Sequence, residues 1–150
     1  MKYKHPLTQE EFTAIYTKVP RLTVEVIVRS DEGILLTKRA IYPAIGQWHI
    51  PGGTVRYNES IRDAVVRIAY AEVGLTIKAY DFIGVIEYPS LDKENYGDPR
   101  GVAVLVKEYS GKVKLNEEAT EFGWFKVLPD KILAHQDEFL LVKELLQPNN

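Results

Sequence analysis

The chain has 150 residues, of which 45% are hydrophobic and 27% charged, and it carries a net charge of −2. That length implies one domain with a substantial core, and so even a charge balance gives no electrostatic case for binding nucleic acid or an acidic membrane. With no cysteine, disulfides, thiolate zinc sites and cysteine nucleophiles are all excluded. The amino end is basic but has no apolar stretch behind it, so it does not read as a secretory signal. No apolar run approaches the roughly 18 residues of a membrane span. A soluble cytoplasmic protein is the expectation.

Thr8-Gln9-Glu10-Glu11 reads as a capping box, and Phe12, Ile15 and Tyr16 give the short helix behind it an apolar stripe before Pro20. Residues 22–29, LTVEVIVR, alternate and are rich in β-branched side chains, which predicts a strand. Ser30 to Gly33 is a turn, GILLTKR its hairpin partner, residues 40–47 a loop, and Trp48 to Ile50 a further short strand. Pro51-Gly52-Gly53 then breaks the chain into a loop, followed by a helix with Asn58 as N-cap and Gly74 as C-cap. Strand, glycine loop and helix in succession can wrap backbone around a phosphate or hold a cation beside one.

Residues 76–88 give one or two strands around Gly84, and residues 89–100 form the longest polar loop. GVAVLVKEY is the most apolar strand, expected to be buried on both faces. After Gly111-Lys112 come a short strand, an acidic loop and a closing strand. From Pro129 onward a helix is expected, with Phe139, Val142 and Leu146 on one face. This order predicts an α/β fold, an α/β/α sandwich around a mixed sheet, over residues 1–150 as a single domain.

Residues 53–75 resemble the Nudix box, Gly-x5-Glu-x7-Arg-Glu-apolar-x-Glu-Glu-x-Gly-apolar. Gly53, Glu59, Arg67, Glu72, Gly74 and Leu75 fall on the pattern, while Ile68 and Ala71 stand where two of its glutamates are expected. The same two departures occur in the GDP-mannose mannosyl hydrolase branch of that family. The stretches Glu10 to Pro20, LTVEVIV, GILLTKR and Gly46-Gln47-Trp48 also resemble that branch, and the similarity weakens after about Tyr88.

The resemblance implies a Nudix hydrolase of a nucleoside-diphosphate-linked substrate, a nucleotide sugar such as GDP-mannose, with Mg²⁺ as cofactor and Mn²⁺ as an alternative. It assigns Gly53, Glu59, Arg67 and Gly74 to the structural frame of the box, and the Gly53 carbonyl, Glu72 and Glu118 to the metal. Positions 68, 71 and 72 share one helix face, which here offers a single carboxylate. Glu25, Arg39 and Arg100 are implied as substrate contacts, the last from Asp98-Pro99-Arg100-Gly101, which looks like a motif of Nudix proteins that handle ADP-ribose-type ligands. Arg67 and Glu72 carry catalytic roles by the same resemblance. Ala119 replaces the branch's catalytic His, leaving Glu118 and Glu121 as the candidate bases. His5, His49 and His135 are read as structural, and Trp48 and Trp124 as core or pocket wall. Two alternatives stand beside this reading: cleavage at phosphorus, and a domain that binds a nucleotide sugar or ADP-ribose without turnover. The partner is a small nucleotide in each case, and a homodimer is expected by analogy alone.

Overall fold

The capping box at Thr8 is made. The Glu11 amide donates to Thr8 Oγ1 at 3.1 Å, and the Thr8 amide donates to Glu11 Oε1 at 3.0 Å, opening helix α1 (Gln9–Tyr16). The computed structural model describes residues 5–92 and 97–150, so four residues of the 89–100 loop, and the first four of the basic amino end, lie outside the described residues. Seven strands follow among the described residues: β1 (Arg21–Ser30), β2 (Gly33–Arg39), β3 (Trp48–His49), β4 (Gly52–Thr54), β5 (Thr76–Glu87), β6 (Pro99–Ser110) and β7 (Ala119–Phe125). Helix α2 (Ile61–Val73) joins β4 to β5, and helix α3 (Gln136–Val142) follows β7.

The sheet runs β3-β2-β1-β6-β5, with β4 added to β1 and β7 to β2. It is mixed, because β1 and β6 are parallel while the other pairs are antiparallel. The strand period of two sorts β1 between two cores. Val24, Val26 and Val28 pack with Ala64, Val65, Ile68, Ala69 and Val73 of α2. Ile27 packs on the opposite face with Ile34, Leu36, Ile50, Leu133, Leu140 and Leu146, under α3. Those two helical layers with the sheet between them make the sandwich. Ala103 to Val106 of β6 are buried on both faces, as their composition predicts. No helix among the described residues is long and apolar enough to cross a membrane.

Several local expectations are corrected. Ser60, not Asn58, caps α2: its side chain accepts the Asp63 amide at 3.0 Å, while Asn58 adopts a left-handed φ of 59° two residues earlier. Gly52 to Thr54 do not interrupt the sheet but form β4 against β1. The short strand expected between Gly111 and β7 does not form. The Lys114 amide instead donates to the Val73 carbonyl at 2.9 Å, which ties that segment to the end of α2. The carboxy-terminal helix starts only at Gln136, because the preceding residues bridge elsewhere, Ile132 to Trp48 and Val127 to Gln147. Val142 is 79% exposed rather than facing the core. Residues 76–87 form one strand, with register shifts that include one at Gly84, whose φ is 147°.

Candidate functional site

Strand register decides what β4 presents to α2. Pro51 O accepts the Val26 amide at 2.8 Å, and Leu22 O accepts the Val55 amide at 3.0 Å. Between these, Val24 lies opposite Gly53, and antiparallel alternation puts the polar groups of Gly53 in the ladder with Val24. Those of Gly52 and Thr54 turn away from β1. The Gly52 amide accordingly donates to Glu72 Oε2 at 3.0 Å, and the Thr54 carbonyl accepts from Arg67 Nη2 at 3.0 Å. The Gly53 carbonyl expected at the metal is therefore committed to β1. The backbone on the Glu72 side belongs to Gly52.

Arg67 and Glu59 form the lock implied by the box. Arg67 Nε and Nη2 reach the two oxygens of Glu59 at 2.6 and 2.7 Å, and Glu59 Oε1 also accepts the Arg56 amide at 3.0 Å. The Arg67 guanidinium holds its carboxyl below the usual carboxylate range. Arg67 thus joins the loop, β4 and α2, which serves its structural role. Gly74 ends α2 with φ of 71°, and a Cβ there would meet the Lys114 backbone amide at 3.2 Å. Ile68, in place of a box glutamate, is 2% exposed and belongs to the α2 core. Burying an apolar side chain of that size contributes about 1.5–3 kcal/mol, whereas an unpaired glutamate there would oppose folding.

Three carboxylates from three elements surround the end of this frame. Burial, and then the charge of Glu118, push the Glu72 carboxyl well above the usual range; Glu25 adds to this, and the Gly52 amide and Arg39 oppose it. Burial also raises Glu118, with Arg39 opposing. Asn116 places Glu118: its Nδ2 donates to the Ala71 carbonyl at 3.0 Å and its Oδ1 accepts the Glu118 amide at 2.9 Å, while the Ala40 amide donates to Glu118 O at 2.8 Å. Arg39 is fixed from β2 by its Nε donating to Pro43 O at 2.6 Å.

Glu25 occupies a position on β1 with apolar neighbours and is 6% exposed. Its side chain is pressed between two glycines, since a Cβ on Gly52 would overlap Oε2 and a Cβ on Gly101 would lie 2.6 Å from Oε1. A directed chain of hydrogen bonds ends on it. Ile50 N donates to Gln136 Oε1 at 2.8 Å, Gln136 Nε2 donates to Tyr88 Oη at 3.0 Å, and Tyr88 donates to Glu25 Oε1 at 2.9 Å. Burial still pushes its carboxyl up to about 7 against the pull of Tyr88, Arg21 and Thr23. Glu25, Tyr88 and Gln136 line a cleft of about 100 Å³ with Arg21, Arg39, His49 and Gly52.

Among the described residues no three His, Cys, Asp or Glu side chains form a ready-made metal cage. Glu72 and Glu118 are instead a mutually repelling pair of carboxylates. That suits one hard divalent cation whose remaining ligands come from substrate and water.

Two expected site residues are placed elsewhere. Glu121 pairs with Lys38, which is opposite Trp48 and stacks on its ring, so it lies on the α3 face of the sheet, away from Glu72, with its side chain 55% exposed. Arg100 is held by Asp98 at 2.7 Å and Glu87 at 3.3 Å and does not line the cleft; its neighbours Pro99 and Gly101 approach the cleft and Glu25 instead. Trp48 and Trp124 pack against the two cores, as expected. Arg21, His49, Tyr88 and Gln136 were not legible as site residues. For His49 a signal existed: strand alternation puts it on the face opposite Trp48, and it pairs with Thr37. Burial and Arg39 hold its imidazole down to about 3, so it is neutral.

Comparison with known proteins gives three kinds of match. The NUDIX domain family model matches residues 19–143. The chain is 37% identical over 82 residues to the low-salt glycan biosynthesis protein Agl8 of Haloferax volcanii, covering 55% of this chain and about half, 53%, of that protein. It is 30% identical over 133 residues to an ADP-ribose pyrophosphatase of Methanocaldococcus jannaschii, covering 87% of this chain and 76% of the relative. A MutT NUDIX hydrolase from Burkholderia pseudomallei superposes with a TM-score of 0.74 at 26% identity, over 82% of this chain and 97% of that one.

Proposed function

Because this chain belongs to the Nudix family, whose model spans most of its length, we propose that it is a divalent-cation-dependent hydrolase of a nucleoside-diphosphate-linked sugar. The observation that carries the reading is that Glu25, Arg39 and Gly52 line one small cleft, with Glu72 bonded to the Gly52 amide and Glu118 lining the neighbouring groove with Arg39. A diphosphate needs cationic neutralisation, and a sugar needs a confined polar pocket. The relatives named for glycan biosynthesis and for ADP-ribose cleavage both suit such a substrate.

In this reading Glu72, Glu118 and the Gly52 carbonyl would hold Mg²⁺ or Mn²⁺, which when bound would neutralise the diphosphate and make it a better leaving group. Arg39 adds a fixed positive charge beside it. Glu25 accepts a hydrogen bond from a sugar hydroxyl, its other oxygen being occupied by Tyr88. Glu118, half-buried beside the cation, is also the candidate base for the attacking water. Attack at the anomeric carbon of GDP-mannose releases GDP and free sugar. Attack at phosphorus, favoured by the ADP-ribose pyrophosphatase relative, releases a nucleoside monophosphate and a sugar phosphate.

The test is phosphorus NMR of products from GDP-mannose and ADP-ribose, with Mg²⁺ or Mn²⁺, in ¹⁸O-enriched water. Unlabelled nucleoside diphosphate identifies carbon attack, and label in a phosphate product identifies phosphorus attack. Binding of both substrates with no product under either cation would refute the hydrolase reading in favour of a binding domain.

A further inference from the structure

Helix α1 is not part of the Nudix frame. It lies before the residues matched by the family model, and none of its side chains is buried. Eight residues are too few for a stable isolated helix. Its capping box, together with the placement of the Arg21 guanidinium 5.3 Å from the Phe12 ring centroid, holds it in position. It is thus an ordered element that contributes little to either core, and it lies beside the cleft.

Between α1 and the loop after β2 runs a second groove of about 320 Å³, walled by Leu7 and Phe12 on one side and by Ile41 and Pro43 on the other. Arg21 and Arg39 line both this groove and the smaller cleft over Glu25, so the two compartments adjoin at those side chains, and Glu118 stands on the groove side of the junction. The sizes differ in a way that orients a ligand. About 100 Å³ is below the roughly 300–1,000 Å³ of a typical small-molecule site and takes only a small polar group, whereas 320 Å³ reaches that range. Apolar walls with the polar side chains of Thr8 and Gln9 at one end suit a flat heterocycle whose faces are apolar and whose edge carries donors and acceptors.

Resting on the nucleotide-sugar reading above, we infer that the groove between α1 and residues 41–43 is the nucleoside subsite. The sugar then lies in the cleft over Glu25, and the diphosphate spans the junction at Arg39 and Glu118. Helix α1 is accordingly an appended specificity element: it selects for the nucleoside half of the substrate, while the Nudix frame handles the diphosphate.

The experiment compares kcat/KM for whichever of GDP-mannose and ADP-ribose is hydrolysed with that for a methyl ester keeping its diphosphate and sugar but lacking the nucleoside. Phe12→Ala and Ile41→Ser each remove one wall, and neither residue belongs to the cores. Val142→Ser, on the exposed face of α3, is the control. Each wall variant should lower the ratio of the two kcat/KM values about tenfold, chiefly through KM for the full substrate, with the ratio unmoved in the control. Activity on both substrates with a wild-type ratio in both wall variants would overturn the subsite and leave the hydrolase reading standing. So would a wild-type enzyme that treats the two substrates alike. Hydrolysis of none of these compounds by the wild type would overturn the hydrolase reading and the subsite together.

Discussion

The Glu59–Arg67 lock predicts a measurable stability loss with a defined pH dependence. Glu59→Gln keeps one acceptor oxygen but removes the charge and sets an NH₂ group against Arg67, disrupting contacts at 2.6 and 2.7 Å. Exposed ion pairs are worth about 0–1 kcal/mol, and breaking a buried one costs about 3–5 kcal/mol. These side chains are 13% and 18% exposed, between the two regimes and nearer the buried one. The expected loss is about 2–3 kcal/mol, or roughly 5–10 °C in Tm for a domain of this size. The Glu59 carboxyl is held below its ordinary range, so its contribution is complete above that range and disappears as pH falls through its folded value. Urea denaturation at pH 7 should therefore separate wild type from variant, and the gap should close toward pH 3. A double-mutant cycle with Arg67→Met assigns the coupling to the pair. A loss below about 1 kcal/mol at pH 7, or one that persists unchanged in acid, would refute this account.

Glu25 works in the opposite sense. Its carboxyl is raised from 4.5 to about 7, so the folded protein binds the extra proton and loses stability as pH rises through that window. Relative to Glu25→Gln, wild type should lose about 3 kcal/mol between pH 4.5 and 7.5, read from urea midpoints. Equal pH profiles would show that the carboxyl is not desolvated. Glu72→Gln should lower divalent-cation-dependent kcat at least about a hundredfold, measured by product formation across a Mg²⁺ titration; undiminished turnover removes Glu72 from the reaction. Gly52→Ala drives a Cβ to 2.6 Å from Val24 O and onto Glu25, whereas Gly53→Ala meets only the Ile68 side chain, Cδ1 at 3.2 Å and Cγ1 at 3.4 Å. The first should cost about 1–3 kcal/mol in denaturation and the second distinctly less, and the reverse order would contradict the β4 register.

Much of the frame could be read locally because the interactions that make it are local. The Thr8–Glu11 box closes within three residues, Gly74 marks its own left-handed cap, and the alternation of residues 22–29 selects a strand whatever its partner. The pairing of Glu59 with Arg67 was legible only through the family resemblance, and the structure bears it out. The N-cap of α2 was read at Asn58, and the hydrogen bond to the Asp63 amide places it at Ser60 instead.

The sequence by itself determined most element types and the residues of the box, because side-chain period, caps and turns act over a few residues. Register and contact belong to the tertiary structure. The alternation of β4 against β1 moved the exposed backbone from Gly53 to Gly52. The β2–β7 ladder put Glu121 behind the sheet. Tyr88, just after β5, meets Glu25 across 63 residues, and Gln136 of α3 meets Tyr88 across 48, contacts that only the packed sheet and helix create. Hydrogen-bond geometry is specified to tenths of an ångström, and such distant residues are brought together by the summed burial of two cores, a global quantity that no short stretch of sequence encodes.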